Sequence, residues 1–165
     1  MRLAFKRTKE TMPAEIILFE PEIPPNTGNI MRLCANTGSR LNLIKPLGFE
    51  IDEKSLRRAG MDYRELCELN LFDNYESCLE YFKQRRIVPI STKGGASLFK
   101  FKFKQDDCLL FGPETRGLPS FILDGFSAEE VVRIPMIEGS RSMNLSNAAS
   151  VALYEQLRQV GFCEY

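Results

Sequence analysis

The sequence predicts an α/β fold in which helices flank a mostly parallel sheet. From Glu15 onward, short aliphatic runs alternate with amphipathic stretches, a pattern typical of successive strand and helix units. The 165 residues, 44% of them hydrophobic, suffice to bury one core without disulfides or a metal. We therefore predict one domain over residues 14–165, preceded by a flexible basic extension over residues 1–13.

The hydrophobic pattern predicts six strands and five helices. The strands are expected at residues 16–19, 41–44, 67–71, 87–90, 108–111 and 131–134. The helices are expected at residues 29–37, 53–58, 74–84, 120–123 and 144–159. Apolar residues recur along one face of the last helix, so we expect that face to lie against the core. Its small residues Ala148, Ala149 and Ala152 suit contact with a second chain equally well, and both interpretations stay open.

Composition excludes several functional classes. Lysine and arginine together number 22, as do aspartate and glutamate, so any nucleic-acid affinity must come from local basic patches. The absence of histidine excludes Ser-His-Asp and Cys-His hydrolases and removes the commonest metal ligand, so we expect no metal site. Five scattered cysteines indicate reduced, buried thiols. With no candidate membrane span or signal peptide in the sequence, the expected location is the cytoplasm, away from membranes.

Three late strands end in loops that contain glycine and small polar residues. Ile90 leads into Ser-Thr-Lys-Gly-Gly, Phe111 into Gly-Pro-Glu-Thr-Arg-Gly, and Ile134 into Pro-Met-Ile-Glu-Gly-Ser-Arg-Ser. Ligands of open α/β sheets bind at the carboxyl ends of strands, where glycine lets the backbone approach them. One such loop alone is more often an ordinary turn, but three together favour a ligand site. The phosphate-binding patterns GxGxxG and GxxxxGK[ST] are absent, which disfavours a dehydrogenase or a P-loop kinase.

Two residues near the first helix are candidates for a site. Asn26, in the run Pro-Pro-Asn-Thr-Gly-Asn after the first strand, is either a site residue or a helix cap. Arg32 has apolar neighbours on both sides in the sequence, so we expect its guanidinium to reach a partner or a cleft. A surface position on an amphipathic helix is the alternative for Arg32.

Three segments together resemble a known family. Residues 21–38 (PEIPPNTGNIMRLCANTG), 111–119 (FGPETRGLP) and 134–148 (IPMIEGSRSMNLSNA) are similar to the three motifs of SPOUT-class RNA 2′-O-methyltransferases. Within that class, the pattern resembles the small single-domain tRNA (cytidine/uridine) wobble 2′-O-methyltransferases of the TrmL/YibK family. The resemblance extends from Ile16 to about Gly161 and leaves out the basic residues before Pro13.

The resemblance implies a fold and an activity. The C-terminal part of the α/β domain would be threaded through a loop as a deep trefoil knot, an exception to the usual topology rules. The cofactor would be S-adenosyl-L-methionine, with S-adenosyl-L-homocysteine as product. The substrate would be the wobble cytidine or modified uridine of tRNA, with leucine isoacceptors expected. The enzyme would be a homodimer in which each active site borrows residues from the partner chain.

The motifs also imply site residues. The implied cofactor contacts are Ile90, Thr92, Gly112, Gly117, Ile134, Ser142 and Met143. The implied catalytic and site-shaping residues are Asn26, Arg32, Glu114, Ser142 and Asn144, with Tyr154 as a candidate substrate contact. An aromatic residue on a packed helix, such as Tyr154, is more often part of the core. Family accounts make the motif arginine, here Arg32, the proton acceptor, but guanidinium groups are poor bases. We therefore expect Arg32 to orient a phosphate and the hydroxyl and to stabilise developing negative charge.

RNA contacts are expected from local basic residues. The candidates are Arg40, Lys45, Arg57, Arg58 and Arg64, with Lys6 and Arg7 of the extension. A solvated charged surface is the alternative for each of them. Two other functions stay open: a SPOUT 2′-O-methyltransferase acting on rRNA or another tRNA position, and a noncatalytic module that binds the cofactor.

Overall fold

The structure, a computed structural model, describes residues 13–51 and 67–161. The strands in these ranges are β1 (Glu15–Phe19), β2 (Arg40–Ile44), β3 (Leu69–Phe72), β4 (Ile87–Pro89), β5 (Ala96–Ser97), β6 (Cys108–Phe111) and β7 (Val132–Arg133). The helices are α1 (Pro24–Thr37), α2 (Tyr75–Tyr81), α3 (Ser120–Leu123) and α4 (Leu145–Gln159). The helix predicted at residues 53–58 lies outside the described residues. None of the described helices combines the length and the apolar character that crossing a membrane requires.

Five parallel strands form the main sheet in the order β3-β2-β1-β6-β4, which confirms the predicted mostly parallel sheet. Leu18 of β1 lies opposite Leu43 of β2 on one side and Phe111 of β6 on the other. The strands β1 and β6 are nearly continuous apolar runs, as expected of strands that are buried on both faces. A separate parallel pair, β5 with β7, joins the main sheet through a bridge between Ile90 and Val132.

Helices cover both faces of the main sheet. Successive side chains of a strand point to opposite faces, so neighbouring residues of β1 belong to different cores. Ile16 and Leu18 belong to a core shared with α1 and α4, which pack against each other. Ile17 and Phe19 belong to a second core shared with α2 and α3. Leu153 of α4 is fully buried, so the prediction that this helix lies against the core is confirmed.

Helix α1 begins at Pro24, earlier than the predicted start at residue 29. Pro24 and Pro25 occupy the first turn, where the backbone N–H groups have no partner within the helix and proline therefore costs no hydrogen bond. The prediction of a loop before Asn29 was wrong, and Asn26 lies within the first turn. The helix ends at Thr37, and Gly38 follows in the left-handed conformation with φ 67°.

Several other boundaries also differ from the prediction. The strands predicted at residues 87–90 and 131–134 were too long, and the two-residue strand β5 was not predicted. Helix α2 ends at Tyr81, before residue 84, because the chain turns and the Arg85 N–H donates to the Phe82 carbonyl at 2.8 Å. Pro13 is buried and its carbonyl accepts a hydrogen bond from Arg85 Nη2 at 2.8 Å. The folded part therefore includes the last residue of the predicted extension.

A buried polar ladder fixes the alignment of three strands at their amino ends. Glu15, 1% exposed, accepts hydrogen bonds from Arg85 Nη1 and from Asn42 Nδ2, both at 2.8 Å. Asn70 Nδ2 donates to Asn42 Oδ1 at 2.9 Å. A slip of one residue between the strands would leave these buried groups unpaired. The ladder thereby also sets where the strands end at the opposite edge of the sheet.

Candidate active site

The loops after β4, β6 and β7 meet around one cavity of about 290 Å³ at the carboxyl edge of the sheet. This volume is close to the lower end, about 300 Å³, of the range for small-molecule sites. The start of α4 also lines the cavity. Its walls are formed by Ile90, Ser91, Thr92, Phe111, Gly112, Pro113, Glu114, Thr115, Arg116, Gly117, Leu118, Ile134, Met136, Ser142, Met143, Leu145 and Ala148.

All seven residues that the motifs imply as cofactor contacts lie on this wall. Glu114 of the implied catalytic set lies there too, as does Ser142, which belongs to both sets. Sequence reasoning missed the remaining wall residues. Those in the loops, such as Thr115 and Arg116, were within the quoted motifs and had no signal to separate them from their neighbours. Leu145 belongs to the apolar face of α4 that was expected to lie against the core, and Ala148 to the small residues for which core packing and contact with a second chain both stayed open.

Gly112 is required by the close approach of two backbone segments. A Cβ atom at this position would lie 2.2 Å from the backbone nitrogen of Leu118 and 2.3 Å from the backbone carbon of Gly117. No side chain fits at such distances. Gly117 itself adopts φ +66°, a conformation that residues with side chains rarely take. The loop after β6 therefore returns tightly onto itself at the wall of the cavity.

A chain of polar side chains connects the three motif segments at the edge of the cavity. Asn26 Nδ2 donates to Glu114 Oε1 at 3.2 Å, and Asn144 Nδ2 donates to Asn26 Oδ1 at 3.0 Å. Asn144 Oδ1 in turn caps α4 by accepting from the backbone N–H groups of Ser146 at 2.9 Å and Asn147 at 3.3 Å. Asn26, Glu114 and Asn144 therefore act as a connected unit that fixes the starts of α1 and α4.

The Glu114 carboxylate also binds backbone at the start of α1. It accepts from the N–H of Glu22 at 2.8 Å and from the N–H of Ile23 at 3.1 Å. A carboxylate at the amino end of a helix is favoured by the helix dipole, and here no side chain of the helix itself caps that end. Glu114 thus supplies from another segment the cap that the α1 sequence lacks.

Arg32 and Tyr154 lie beyond the cavity wall. Arg32 is exposed on α1 in a stripe with Asn29 and Asn36, and Tyr154 is 48% exposed on α4. Arg32 does not line the described cavity of the single chain. Its exposed position agrees with the alternative of a surface position on an amphipathic helix, and the expectation that its guanidinium reaches a partner or a cleft stays a prediction. The prediction that Tyr154 contacts substrate stays a prediction.

Two of the predicted RNA contacts are described, and both form ion pairs. Arg40 pairs with Glu68 and lies 3.7 Å from Glu15, and Lys45 Nζ lies 3.0 Å from Asp73. These pairs would have to open or rearrange before the cations could neutralise phosphates. Arg57, Arg58, Arg64, Lys6 and Arg7 lie outside the described residues.

The cavity suits the cofactor that the motifs imply. Its apolar side chains, among them Ile90, Phe111 and Leu145, can enclose a flat heterocycle. Polar residues, among them Ser91, Thr92 and Ser142, lie on the same wall. Apolar walls with a few fixed polar groups are typical of a site that orients a nucleoside-like molecule.

Comparison with known proteins gives consistent matches along the chain. The sequence profile of the SpoU rRNA Methylase family matches residues 13–154. A curated relative from Escherichia coli (strain K12), named tRNA (cytidine(34)-2'-O)-methyltransferase, is 54% identical over 147 residues, covering 89% of this chain and 94% of the relative.

Two solved structures are also similar. One structure, solved for insight into the 2-OH methylation of C/U34 on tRNA, gives a TM-score of 0.83 at 43% identity. The match covers 88% of this chain and 95% of that chain. The SpoU methyltransferase AviRb from Streptomyces viridochromogenes, solved in complex with the cofactor AdoMet, gives a TM-score of 0.79 at 25% identity. That match covers 92% of this chain and 62% of AviRb.

Proposed function

The chain belongs to the SpoU rRNA Methylase family, and we propose that it methylates the ribose 2′-hydroxyl of the wobble nucleotide of tRNA. The methyl donor is S-adenosyl-L-methionine and the product is S-adenosyl-L-homocysteine. The target is a cytidine or a modified uridine at anticodon position 34, in line with the names of the similar proteins. Leucine isoacceptors are the tRNAs that the sequence resemblance implies. The convergence of the loops after β4, β6 and β7 on one cavity is the observation that carries this proposal.

The cavity residues hold the reacting groups in place. The cofactor, when bound, would supply an electrophilic methyl group, which the ribose hydroxyl oxygen would accept as the sulfonium becomes a neutral thioether. The residues that would hold it are Ile90, Thr92, Gly112, Gly117, Ile134, Ser142 and Met143. Correct alignment of the reacting atoms can account for much of the rate acceleration of such a transfer. The tight return of the loop at Gly112 supports this role because it leaves the wall little freedom to shift.

Arg32 acts on the RNA side of the reaction. We assign it the orientation of the phosphate next to the target ribose and the stabilisation of negative charge on the 2′-oxygen. A phosphate oxygen then takes the hydroxyl proton, because a guanidinium is a poor base. Asn26, Glu114 and Asn144 support Arg32 indirectly, since their hydrogen bonds fix the start of the helix that carries it.

The functional unit in this proposal is a homodimer in which the partner completes each site. Arg32 on α1 and Tyr154 on α4 lie on neighbouring helices, exposed and away from the cavity wall of their own chain. Val151, 38% exposed, lies in the same stripe as Tyr154 and offers apolar surface for contact between chains. Sedimentation analysis should therefore find a dimer, and a fully active monomer would contradict this arrangement.

Two further features, a knotted chain and a cytoplasmic location, are proposed together with the methyltransferase activity. A deep trefoil knot in the C-terminal part is supported by membership of the family. A cytoplasmic location is supported by the thiols, which are free and buried as predicted at Cys34, Cys67, Cys78 and Cys108.

The decisive test is to map the methylated nucleoside. Purified protein is incubated with methyl-labelled S-adenosyl-L-methionine and total tRNA, and the labelled nucleoside is located by nuclease digestion and mass spectrometry. The proposal predicts a 2′-O-methylated nucleoside at position 34. A synthetic anticodon stem-loop with a 2′-deoxyribose at that position is the matched control and should accept no label.

The other outcomes separate the rival functions. Label at another tRNA position, or in rRNA alone, would indicate a related 2′-O-methyltransferase. Cofactor binding without any transfer to RNA would indicate a noncatalytic module. Either result would overturn the proposed activity.

A further inference from the structure

Two glutamates on different segments each bind the other's segment. Glu114, in the loop after β6, accepts from the N–H of Glu22 at 2.8 Å and of Ile23 at 3.1 Å. Glu22, just before α1, accepts from the N–H of Thr115 at 3.1 Å and from Thr115 Oγ1 at 2.7 Å. We call Glu22 and Glu114 with these donors the carboxylate clasp. Glu114 is one of the residues that the motifs imply for catalysis and site geometry, whereas Glu22 has no role in the function described above.

The Glu22 half of the carboxylate clasp holds the cavity wall. Thr115 and Arg116 both line the cavity, and Glu22 binds both, with Arg116 Nε at 3.5 Å from its Oε1. The hydrogen bond from the Thr115 hydroxyl is the main reason that the pKa of Glu22 is lowered, so the charged carboxylate is the form that this contact favours. Hydrogen bonds to a charged group are stronger than those between neutral groups.

Arg116 also binds a second acidic residue, Glu20. The contact of Glu22 with Thr115 can therefore be tested separately from the contacts of Arg116. Arg116 Nη2 lies 2.6 Å from Glu20 Oε2. Glu20 adopts φ 45°, which is unusual for a residue other than glycine, and it directly follows β1. Removal of the Glu20 carboxylate would therefore weaken the hold on Arg116 and leave both Thr115 contacts in place.

We propose that Glu22 is a positioning residue for methyl transfer: through Thr115 it fixes the loop after β6 in the shape that accepts the cofactor. This inference rests on the proposed function, because it takes the cavity to be the cofactor site. The Glu114 contacts to the start of α1 do not involve the Glu22 carboxylate, so loss of that carboxylate should leave the position of α1, which carries Arg32, unchanged.

The test compares Glu22→Ala and Glu22→Gln with Glu20→Gln and Glu80→Gln. Glu80 pairs with Lys83 at 2.5 Å on exposed α2, remote from the cavity wall, and controls for the loss of one carboxylate. Amide hydrogen exchange of the protein without ligand reports directly on residues 113–117. Calorimetric binding of S-adenosyl-L-homocysteine and the KM values for cofactor and tRNA complete the set.

For Glu22→Ala we expect exchange of residues 113–117 to accelerate by about 10-fold or more, since the Thr115 N–H loses a charge-assisted bond. The Kd for S-adenosyl-L-homocysteine and the KM for the methyl donor should rise by about 10-fold or more, while the KM for tRNA changes by less than about 3-fold. Glu22→Gln should give a smaller effect in the same direction, because its amide oxygen still accepts. Glu20→Gln should leave exchange at Thr115 unchanged, and Glu80→Gln should match the unaltered protein throughout.

The outcomes that would overturn the inference are distinct from failure of the proposed function. Unaltered loop exchange and unaltered binding in both Glu22 variants would overturn it. The inference would also be overturned if both Glu22→Gln and Glu22→Ala showed faster amide exchange throughout the chain and a matching rise in the KM for cofactor and for tRNA. That result would show a general structural role for Glu22. If the unaltered protein binds no S-adenosyl-L-homocysteine, the proposed function fails, and with it the positioning role. The exchange data would then judge only whether the carboxylate clasp exists.

Discussion

Substitution of Gly112 by alanine perturbs the shape of the cavity wall and adds only one methyl group, with no new polar group or charge. The added Cβ would lie 2.2 Å from the Leu118 backbone nitrogen, whereas ordinary contact begins at 3.4 Å. The nearest atoms all belong to backbone, so no side chain can rotate away. The two backbone segments must therefore separate by about 1 Å, a displacement that can cost about 100-fold in rate when it misplaces a reacting group.

We expect Gly112→Ala to lower kcat/KM for methyl transfer by about 100-fold and to raise the Kd for S-adenosyl-L-homocysteine by a similar factor. Overpacking should lower the free energy of unfolding by only about 1–3 kcal/mol, so the protein stays folded. The assays are single-turnover methylation, titration calorimetry and thermal unfolding followed by circular dichroism.

Two glycines serve as controls for the Gly112 variant. At Gly125 a Cβ would meet only the Ile122 carbonyl oxygen, at 3.3 Å, so Gly125→Ala should leave methylation unchanged. At Gly117 a Cβ has open space but the backbone has φ +66°, so Gly117→Ala should cost about 1–2 kcal/mol of strain without the steric displacement. A Gly112→Ala variant that binds S-adenosyl-L-homocysteine as tightly as the unaltered protein would refute the reasoning.

Three further predictions concern the neighbouring residues and the RNA. Asn144→Ala should lower the free energy of unfolding by about 1 kcal/mol through loss of the α4 cap, and should also reduce methylation because Asn26 loses its hydrogen-bond donor. Asn74→Ala is the control, since it removes the α2 cap at the same cost in stability. An equal loss of activity in both variants would contradict a site role for Asn144. Arg32→Lys should slow single-turnover methylation by about 10-fold or more because lysine lacks the planar fork, and a near-normal rate would rule out the assigned role. Affinity for tRNA, measured by filter binding, should fall by about 10-fold or more between about 50 and 200 mM salt, whereas a flat response would exclude docking dominated by phosphate contacts.

The parallel sheet and both faces of its core could be predicted from local pattern. Ile16 to Phe19 and Cys108 to Phe111 are unbroken apolar runs, which is what a strand buried on both faces requires. The start of α1 could not be predicted in the same way. Pro24 and Pro25 usually indicate a loop, and the residue that caps this helix is Glu114, 92 positions from Glu22 in sequence.

The cavity wall was predictable where glycine and the motifs coincide, as at Gly112 and Gly117. The contacts that hold the wall depend on distant pairs such as Glu22 with Thr115, and a single sequence carries no signal for such a pairing. Arg32 shows a different limit of prediction from neighbours along the sequence. Its apolar neighbours in sequence led us to expect a partner or a cleft for the guanidinium, and helix geometry places those neighbours on the buried face and Arg32 on the exposed one, so the neighbours alone do not indicate which partner it meets.

A crystal structure of the protein with S-adenosyl-L-homocysteine would test the central claim most directly. The account predicts the ligand in the cavity between the loops after β4, β6 and β7, in contact with the backbone at Gly112 and enclosed by Ile90 and Ile134. A ligand bound elsewhere on the chain, with these loops turned away from it, would contradict the account.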